Sequence, residues 1–381
     1  MNVLLVTNDF PPIMGGISNY YYNLSRHYSA GKIFVLTGHV DNIEAFDNEQ
    51  AFPIYRKKVP LNPGIIPRLI QMGLFFTYAL PIIKRENIQV IICGHLNLAP
   101  IAFLLEKIAG VPYCIILFGG ELKKYMRFRL IKKVFLYLLR KARLIVTISE
   151  FSKTHYTKQG AVIARYCLVP PAPTMEWLDL KIDPTFLYDK YGLHECKIIL
   201  TIGRLVERKG HDMVIKALPK VVQQVPNVRY LIVGKGPYEE HLRKIAERHK
   251  VLDNVIFTGF VDSGLVPAFY QICSVFIMPS REIEERDGVE GFGIVYLEAN
   301  SFGKPVIGGK SGGVSDAVKD GVTGLLVDPL SINEIADALI RLLTDKDYAS
   351  LLGRNGKERI EKELNWSLQM PHFEKQLSSI L

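Results

Sequence analysis

The stretch 290-EGFGIVYLEANSFGKPVIGG-309 reads as a loop, a helix and a buried strand in immediate succession. Two glycines hinge the turn, an apolar run from Ile294 to Leu297 opens the helix, and a short apolar segment ends at Gly309. A helix starting near Gly293 points unpaired N–H groups and its positive dipole end into the loop that carries Glu290. Such an end suits an anion, and a phosphate in particular. Side chains tilt toward their helix N-terminus, so Glu298, a turn inside, can reach back to hydroxyls beside that anion. Glu290 then stands on the anion's other side. Ribose, diphosphate and sugar have this layout in that order. Two solvated glutamates flanking a helix start would read the same from these residues alone.

The same strand-and-helix alternation runs outward in both directions. Strand-like runs occur at 3-VLLVT-7, 33-IFVLTG-38, 90-VIICG-94, 113-YCIILF-118, 144-LIVTIS-149 and 166-YCLVP-170. They resume at 198-IILTIG-203, 228-VRYLIVG-234, 255-VIFTG-259, 275-VFIMPS-280, 305-PVIGG-309 and 324-GLLVD-328. Helical patterns between them predict parallel sheets covered by helices, an α/β class. The proline-rich stretch near 171–190 has little regular period and reads as the linker. Domains are accordingly expected at 1–180 and 181–365, with ligand loops at the carboxyl ends of the strands. No G-x-G-x-x-G follows the first strand, which argues against a dinucleotide-binding dehydrogenase.

A chain of 381 residues with 48% hydrophobic content is long enough for two cores. No basic leader precedes the short apolar run near the N-terminus, so no signal peptide is expected. The most apolar region, 69-LIQMGLFFTYALPII-83, is shorter than a spanning helix and contains Pro81. The five cysteines are odd in number and widely spaced, which predicts neither a disulfide framework nor a metal site. A soluble cytoplasmic protein is the expectation.

Charge is uneven. The first 185 residues carry 22 Lys and Arg against 12 Asp and Glu, and the remainder 25 against 26, within an overall +9. Nine basic residues and no acidic one fall in 122-LKKYMRFRLIKKVFLYLLRKAR-143, interleaved with apolar residues at helical spacing. A basic amphipathic helix of this kind suits an anionic membrane surface, and it equally suits a core-packed helix with a solvated face. Nucleic acid could use the same field, but no recognition module accompanies it, so no nucleic-acid partner is expected.

In 198-IILTIGRLVERKG-210 a strand ends at Gly203, and Arg204 and Lys209 occupy the loop before the next helix. Arg can clamp phosphate oxygens with its planar fork and Lys adds a mobile point charge. GRLVERKG, VGKGPYEE, FTGFV, MPSRE and VEGFGIVYLEANSFGKPVIGGKSGG, taken in order, resemble family 4 retaining glycosyltransferases. The opening 6-VTNDFPPIMGGI-17 resembles the same family, its bacterial phosphatidylinositol-mannoside mannosyltransferases in particular.

That resemblance implies a GT-B fold: two doubly wound Rossmann-like domains facing a cleft, with a terminal helix from about Trp366 (residues 366–381) crossing back to the first domain. It implies catalytic roles for Glu290, Arg204 and Lys209. Donor contacts are implied for Gly15, Gly16, Phe292, Gly293, Ile294, Glu298 and Val261. Asn8, Asp9, Phe118, Gly119 and His95 are placed on the acceptor or sugar side. The family's favoured mechanism is front-side attack, in which a leaving phosphate oxygen takes the acceptor's proton and no covalent nucleophile is needed. Glu290 is then expected to hold the donor sugar's hydroxyls, and Glu298 the ribose.

The chain departs from the family in one place. The usual HG-x-E pattern reads 118-FGGE-121 here, so Phe118 stands where a histidine is usual. A ring contact can survive that change; a polar contact cannot. His95 is a candidate for a related role, although a lone histidine there is equally a structural residue. No cofactor and no metal are expected: the D-x-D at Asp345–Asp347 lies between helical patterns, where aspartates cap helices. The acidic run 281–287 reads as a loop at the cleft mouth. The expected activity is transfer of a hexose, first of all mannose from GDP-mannose, to a lipid-linked or envelope glycan acceptor at the inner membrane surface. A UDP-sugar donor, a nucleotide-sugar epimerase and a non-catalytic adaptor remain open, as does oligomeric state.

Overall fold

The strands form where apolar runs are covered on both faces. Every residue of β1 (Val3–Val6), β4 (Val90–Cys93) and β6 (Leu144–Thr147) is buried, as parallel strands between two helical layers require. The computed structural model describes residues 1–381 except 14, 42, 61–64, 121–127, 181 and 284–287, and the side chains of 65 and 66. It divides into two compact units, Met1–Pro171 with Trp366–Leu381, and Ala172–Asn365. The division falls after Pro171, ahead of the boundary at 180 read from the sequence.

The first unit adds β2 (Ile33–Gly38), β3 (Ile54–Lys57), β5 (Tyr113–Leu117) and β7 (Tyr166–Leu168) in the order β3-β2-β1-β4-β5-β6-β7. All neighbours pair in parallel. β3 is a strand that the sequence reading passed over. It is half-buried throughout, follows Pro53 and pairs only with β2 at the sheet edge, so its IYRK lacks a buried strand's apolar signature. The run 90–94 is therefore the fourth strand and not the third.

The second unit contains β8 (Lys197–Ile202), β9 (Val228–Val233), β10 (Val255–Gly259), β11 (Val275–Met278), β12 (Val306–Gly309) and β13 (Leu325–Val327). Their order, β10-β9-β8-β11-β12-β13, is that of a doubly wound dinucleotide-type sheet, and it reverses between β8 and β11. In the first unit the reversal lies between β1 and β4. Ligand sites in such sheets form outside the strand carboxyl ends at the reversal.

The helix Ile65–Arg85 is longer than the apolar run that suggested it, with 21 residues. It buries Phe75, Ala79, Ile82 and Ile83 against the first unit's core. Among the described residues no helix is long and apolar enough to cross a membrane. In the basic stretch, Arg129–Lys141 is helical and buries Phe135, Leu138 and Leu139; residues 122–127 lie outside the described residues. The last helix, Trp366–Ser378, packs on the helix Gly16–His27 of the first unit. Trp366 is buried, with its ring 5.3 Å from Tyr20 and stacked on His27 at 6.1 Å. The backbone N–H groups of Ser29 and Ala30 donate to the Glu374 carboxylate. All five cysteines are free.

Candidate active site

The loops that leave β8 and β11 meet at the reversal point of the second unit. Gly210 closes the first loop with φ +76°, and a β-carbon there would sit 2.2 Å from the Pro279 carbonyl oxygen, so only glycine permits this approach. The Arg281 N–H donates to the Arg208 carbonyl at 2.8 Å and ties the two loops together. Arg281 itself makes a bidentate pair with buried Asp212, at 2.8 and 3.2 Å. The start of the acidic run 281–287 is therefore an anchored structural pair rather than part of a loose loop, while 284–287 lie outside the described residues.

Within this frame Glu290 meets two cations at one oxygen. Lys209 Nζ donates to Glu290 Oε2 at 2.6 Å and Arg208 Nη1 donates to the same oxygen at 2.8 Å. Glu290 Oε1 takes no hydrogen bond among the described residues. Burial pushes the Glu290 carboxyl up, but Lys209 and Arg208 outweigh it and hold the group below the usual carboxylate range. Burial pulls the Lys209 ammonium down, and Glu290 offsets only part of this because Arg208 and Arg204 add like charge. Two cations thus share one carboxylate. Arg204 is exposed at the end of β8 and makes no ion pair among the described residues. The cluster carries a surplus of positive charge in a half-enclosed place, which is what a diphosphate requires.

The sequence reading missed Arg208. It stands in the same basic turn, Glu207–Lys209, and the pattern ERKG did not say which cation turns inward.

Beside this cluster begins the helix Ile294–Ser301, with Gly293 as its N-cap at φ +90°. A β-carbon on Gly293 would lie 2.5 Å from the Tyr296 ring and 3.7 Å from Glu290 Cγ, so Glu290 stands directly over the helix start. Neither this helix nor Gly16–His27 has a side-chain cap or an acidic residue in its first turn. Elsewhere Ser149, Ser331 and Asp345 cap their helices through side-chain oxygens. Several other helices also lack a side-chain cap, so the open N–H groups at these two glycine-capped starts permit an anion without requiring one.

Phe292 is buried beneath this turn and Ile294 is half-buried. Glu298 is also buried, and its Oε2 accepts from Tyr270 Oη at 2.7 Å. Burial pushes its carboxyl up to about 7, against the lowering effect of that hydrogen bond and of Lys209. Tyr270, on the helix Val266–Ile272, had no local sequence signal. Val261 follows the edge strand β10, two strands from β8 and so about 10 Å away at sheet spacing.

In the first unit the expected residues also gather at the reversal point. His95 Nε2 lies 3.1 Å from Asp9 Oδ2 and 3.3 Å from Thr7 Oγ1. Asn8 Oδ1 is buried with no hydrogen-bond partner among the described residues. Phe118 packs edge-on against Tyr20 and Tyr21, with ring centroids at 5.4 and 5.6 Å, and lies 6.4 Å from His95. Gly119 follows it at φ +110°; Glu121 lies outside the described residues. Around Gly15 and Gly16 a β-carbon would meet nothing within 4 Å, so chain packing does not demand glycine there. Asp345 of the D-x-D caps a helix, accepting from the Tyr348 N–H at 3.0 Å. Among the described residues no group of three or more His, Cys, Asp or Glu stands together as a metal site.

Comparison with known proteins agrees across the whole chain. Residues 188–359 match the family model described as glycosyl transferases group 1, and residues 14–172 match glycosyltransferase family 4. A GDP-mannose-dependent alpha-(1-6)-phosphatidylinositol monomannoside mannosyltransferase of Mycobacterium tuberculosis is 31% identical over 372 residues, covering 96% of this chain and 94% of that protein. A GDP-mannose-dependent monoacylated alpha-(1-6)-phosphatidylinositol monomannoside mannosyltransferase of Corynebacterium glutamicum is 28% identical, with the same coverage of 96% and 94%. Among solved structures, Anabaena HepE in complex with UDP and glucose superposes with a TM-score of 0.82 at 20% identity, covering 100% of both chains.

Proposed function

The chain belongs to the family 4 glycosyltransferases and has their GT-B fold; from that premise we propose that it moves mannose from GDP-mannose to a hydroxyl of a lipid-linked or envelope glycan acceptor. The observation that carries the donor half is the Lys209–Glu290–Arg208 cluster over the start of the helix Ile294–Ser301. Breaking the bond between the anomeric carbon and the diphosphate puts negative charge on the leaving group. Lys209, Arg208, Arg204 and the open helix end stabilise that charge as it forms, with little reorganisation. Glu290 Oε1, which takes no hydrogen bond among the described residues, accepts from a hydroxyl of the donor sugar. Glu298 accepts from the ribose, and Phe292, Gly293 and Ile294 line the diphosphate. Val261 sits toward the nucleobase.

In the first unit, the open backbone at Gly15 and Gly16 offers N–H groups to a phosphate. Asn8, Asp9 and His95 meet the acceptor, with Phe118 and Gly119 forming their floor. In this reading the reaction keeps the anomeric configuration and needs no metal, because Lys209, Arg208 and Arg204 supply positive charge to the leaving diphosphate. The basic helix Arg129–Lys141 holds the protein on the inner, anionic leaflet.

GDP-mannose is favoured by the relatives of about 30% identity, which are GDP-mannose-dependent. A UDP-sugar is the second reading, favoured by UDP and UDP-glucose in the similar HepE structures. A thermal-shift panel of GDP, UDP and their sugars tests the choice. Stabilisation by the GDP series alone supports the proposal, and stabilisation by the UDP series alone replaces it with the second reading.

A further inference from the structure

At the end of the first unit's sheet opposite Asp9 and His95, the helices Ala99–Ala109 and Arg129–Lys141 end side by side. Their carboxyl ends lie there because helices in this architecture run antiparallel to the strands. Between them and the strand that follows opens a pocket of about 560 Å³. Five cations line it: Lys107, Arg140, Lys141, Arg143 and Arg165. Its one carboxylate side chain, Glu106, is bridged by Arg143 at 2.9 Å. The main-chain carboxylate of Leu381 also lines it, and Arg165 donates to the Ser379 carbonyl at 3.2 Å. Five cations against these two carboxylates leave the concave surface with a surplus of positive charge, and among the described residues Lys107, Arg140, Lys141 and Arg165 make no ion pair.

An apolar ridge leads into this pocket. Leu130, Val134, Tyr137 and Lys141 fall at i, i+4, i+7 and i+11 of one helix and share a face. Leu130 is 75% exposed, Val134 47% and Tyr137 51%. The Tyr137 ring lies 6.0 Å from Phe103, which lines the pocket, and Lys141 Nζ sits 5.5 Å above Tyr137. Leu104 and Ile108 of the neighbouring helix add to the apolar side. The sequence is apolar ridge, aromatic step, cationic pocket. An amphiphile with a phosphate head has the complementary order.

We propose that this pocket binds the phosphate headgroup of an anionic lipid, with the ridge seated among its acyl chains. The inference rests on the membrane-surface part of the proposed function and adds to it a specific headgroup site made by residues outside the basic stretch, Lys107 and Arg165. A general field would respond to total charge; a pocket responds to these two positions.

Co-sedimentation of the full chain with phosphatidylcholine vesicles, with and without phosphatidylglycerol, tests it. Lys107→Gln with Arg165→Gln is expected to weaken binding to the phosphatidylglycerol vesicles by about tenfold or more. Lys346→Gln with Lys357→Gln, an equal charge loss on the second unit, is expected to leave binding within about twofold. Inorganic phosphate should compete poorly, because it lacks the apolar part that the ridge seats. Circular dichroism and melting temperature verify that the variants fold. If wild type binds the anionic vesicles and the Lys107/Arg165 variant binds equally well, the headgroup pocket is wrong while the membrane reading stands. Loss confined to inorganic phosphate binding identifies a free-phosphate site and overturns the lipid assignment. If wild type ignores anionic vesicles, the membrane reading itself falls.

Discussion

Lys209 Nζ and Glu290 Oε2 stand 2.6 Å apart, and Arg208 reaches the same carboxylate oxygen from the other side. Glu290 thereby fixes both cations over the start of the helix Ile294–Ser301 while its second oxygen stays available. A conserved-size change to Glu290→Gln keeps the shape and removes the charge. Turnover should fall by about a hundredfold, with a much smaller change in KM for the donor, because charge placement matters most in the transition state. Steady-state kinetics with the preferred donor measure this; a rise in KM at unchanged kcat would show that Glu290 serves ground-state binding only.

Removing the cations acts more broadly. Arg204→Ala with Lys209→Ala strips donors from both ends of the loop and leaves Glu290 with Arg208 alone. We expect kcat/KM to drop by at least about a hundredfold. Transfer at the wild-type rate would sink the electrostatic model. Added EDTA should leave wild-type transfer intact, and its abolition would show that a divalent ion shares the load.

Glu298 and Glu290 should shift stability with pH in opposite directions. The Glu298 carboxyl is raised by burial from 4.5 to about 7, so its contribution is fully present below about 4.5 and is lost as pH rises through about 7. That loss is on the order of 3 kcal/mol at high pH. Glu290 is depressed, so its contribution is present above its ordinary value and lost as pH falls through the lowered one. Glu298→Gln should therefore flatten the fall in melting temperature between about pH 4.5 and 7, the interval between the ordinary and the raised value. Glu298→Ala should also weaken nucleotide binding, read by calorimetry. An unchanged pH profile in Glu298→Gln would mean that the carboxyl titrates normally.

The last helix should stabilise the first unit and not the second. Trp366→Ala removes a buried ring packed against Tyr20 and His27, at a cost of about 3–5 kcal/mol. Glu374→Ala leaves the N–H groups of Ser29 and Ala30 without their acceptor, at a cost of about 1–3 kcal/mol. In urea unfolding, the fluorescence of Trp177 reports the second unit and should keep its transition, while circular dichroism should show the transition of the first unit moving to lower urea. Equal shifts in both units would contradict this assignment.

What could be read from the sequence follows from what each signal depends on. Strands announce themselves when they are apolar runs, so β1, β4, β6 and the second unit's strands were legible. Edge strand β3 was not, because half-burial leaves IYRK without that signature. Glu290, Glu298 and Lys209 can be singled out as candidates because glycine hinges and a helix start confine them to one short stretch each. Arg208 was not singled out, since a turn's local sequence does not say which of two adjacent cations faces inward. Tyr270 reaches Glu298 from a helix 28 positions earlier, a relationship that only the packed sheet creates. The Asp9–His95 contact likewise needs β1 beside β4. Phe118 at the family's histidine position was visible at once, but its burial among Tyr20 and Tyr21 is a product of packing.

The most direct test is sugar transfer itself. The purified chain is incubated with labelled GDP-mannose or labelled UDP-glucose and a bacterial membrane extract, alongside the Arg204→Ala plus Lys209→Ala variant, and label is counted in the lipid-soluble fraction. Mannose should move from GDP-mannose to a lipid-extractable product with the wild-type chain and not with the variant. Label that stays entirely in the nucleotide sugar with both chains, or transfer that survives in the variant, would contradict the assignment of this cluster as the transfer site.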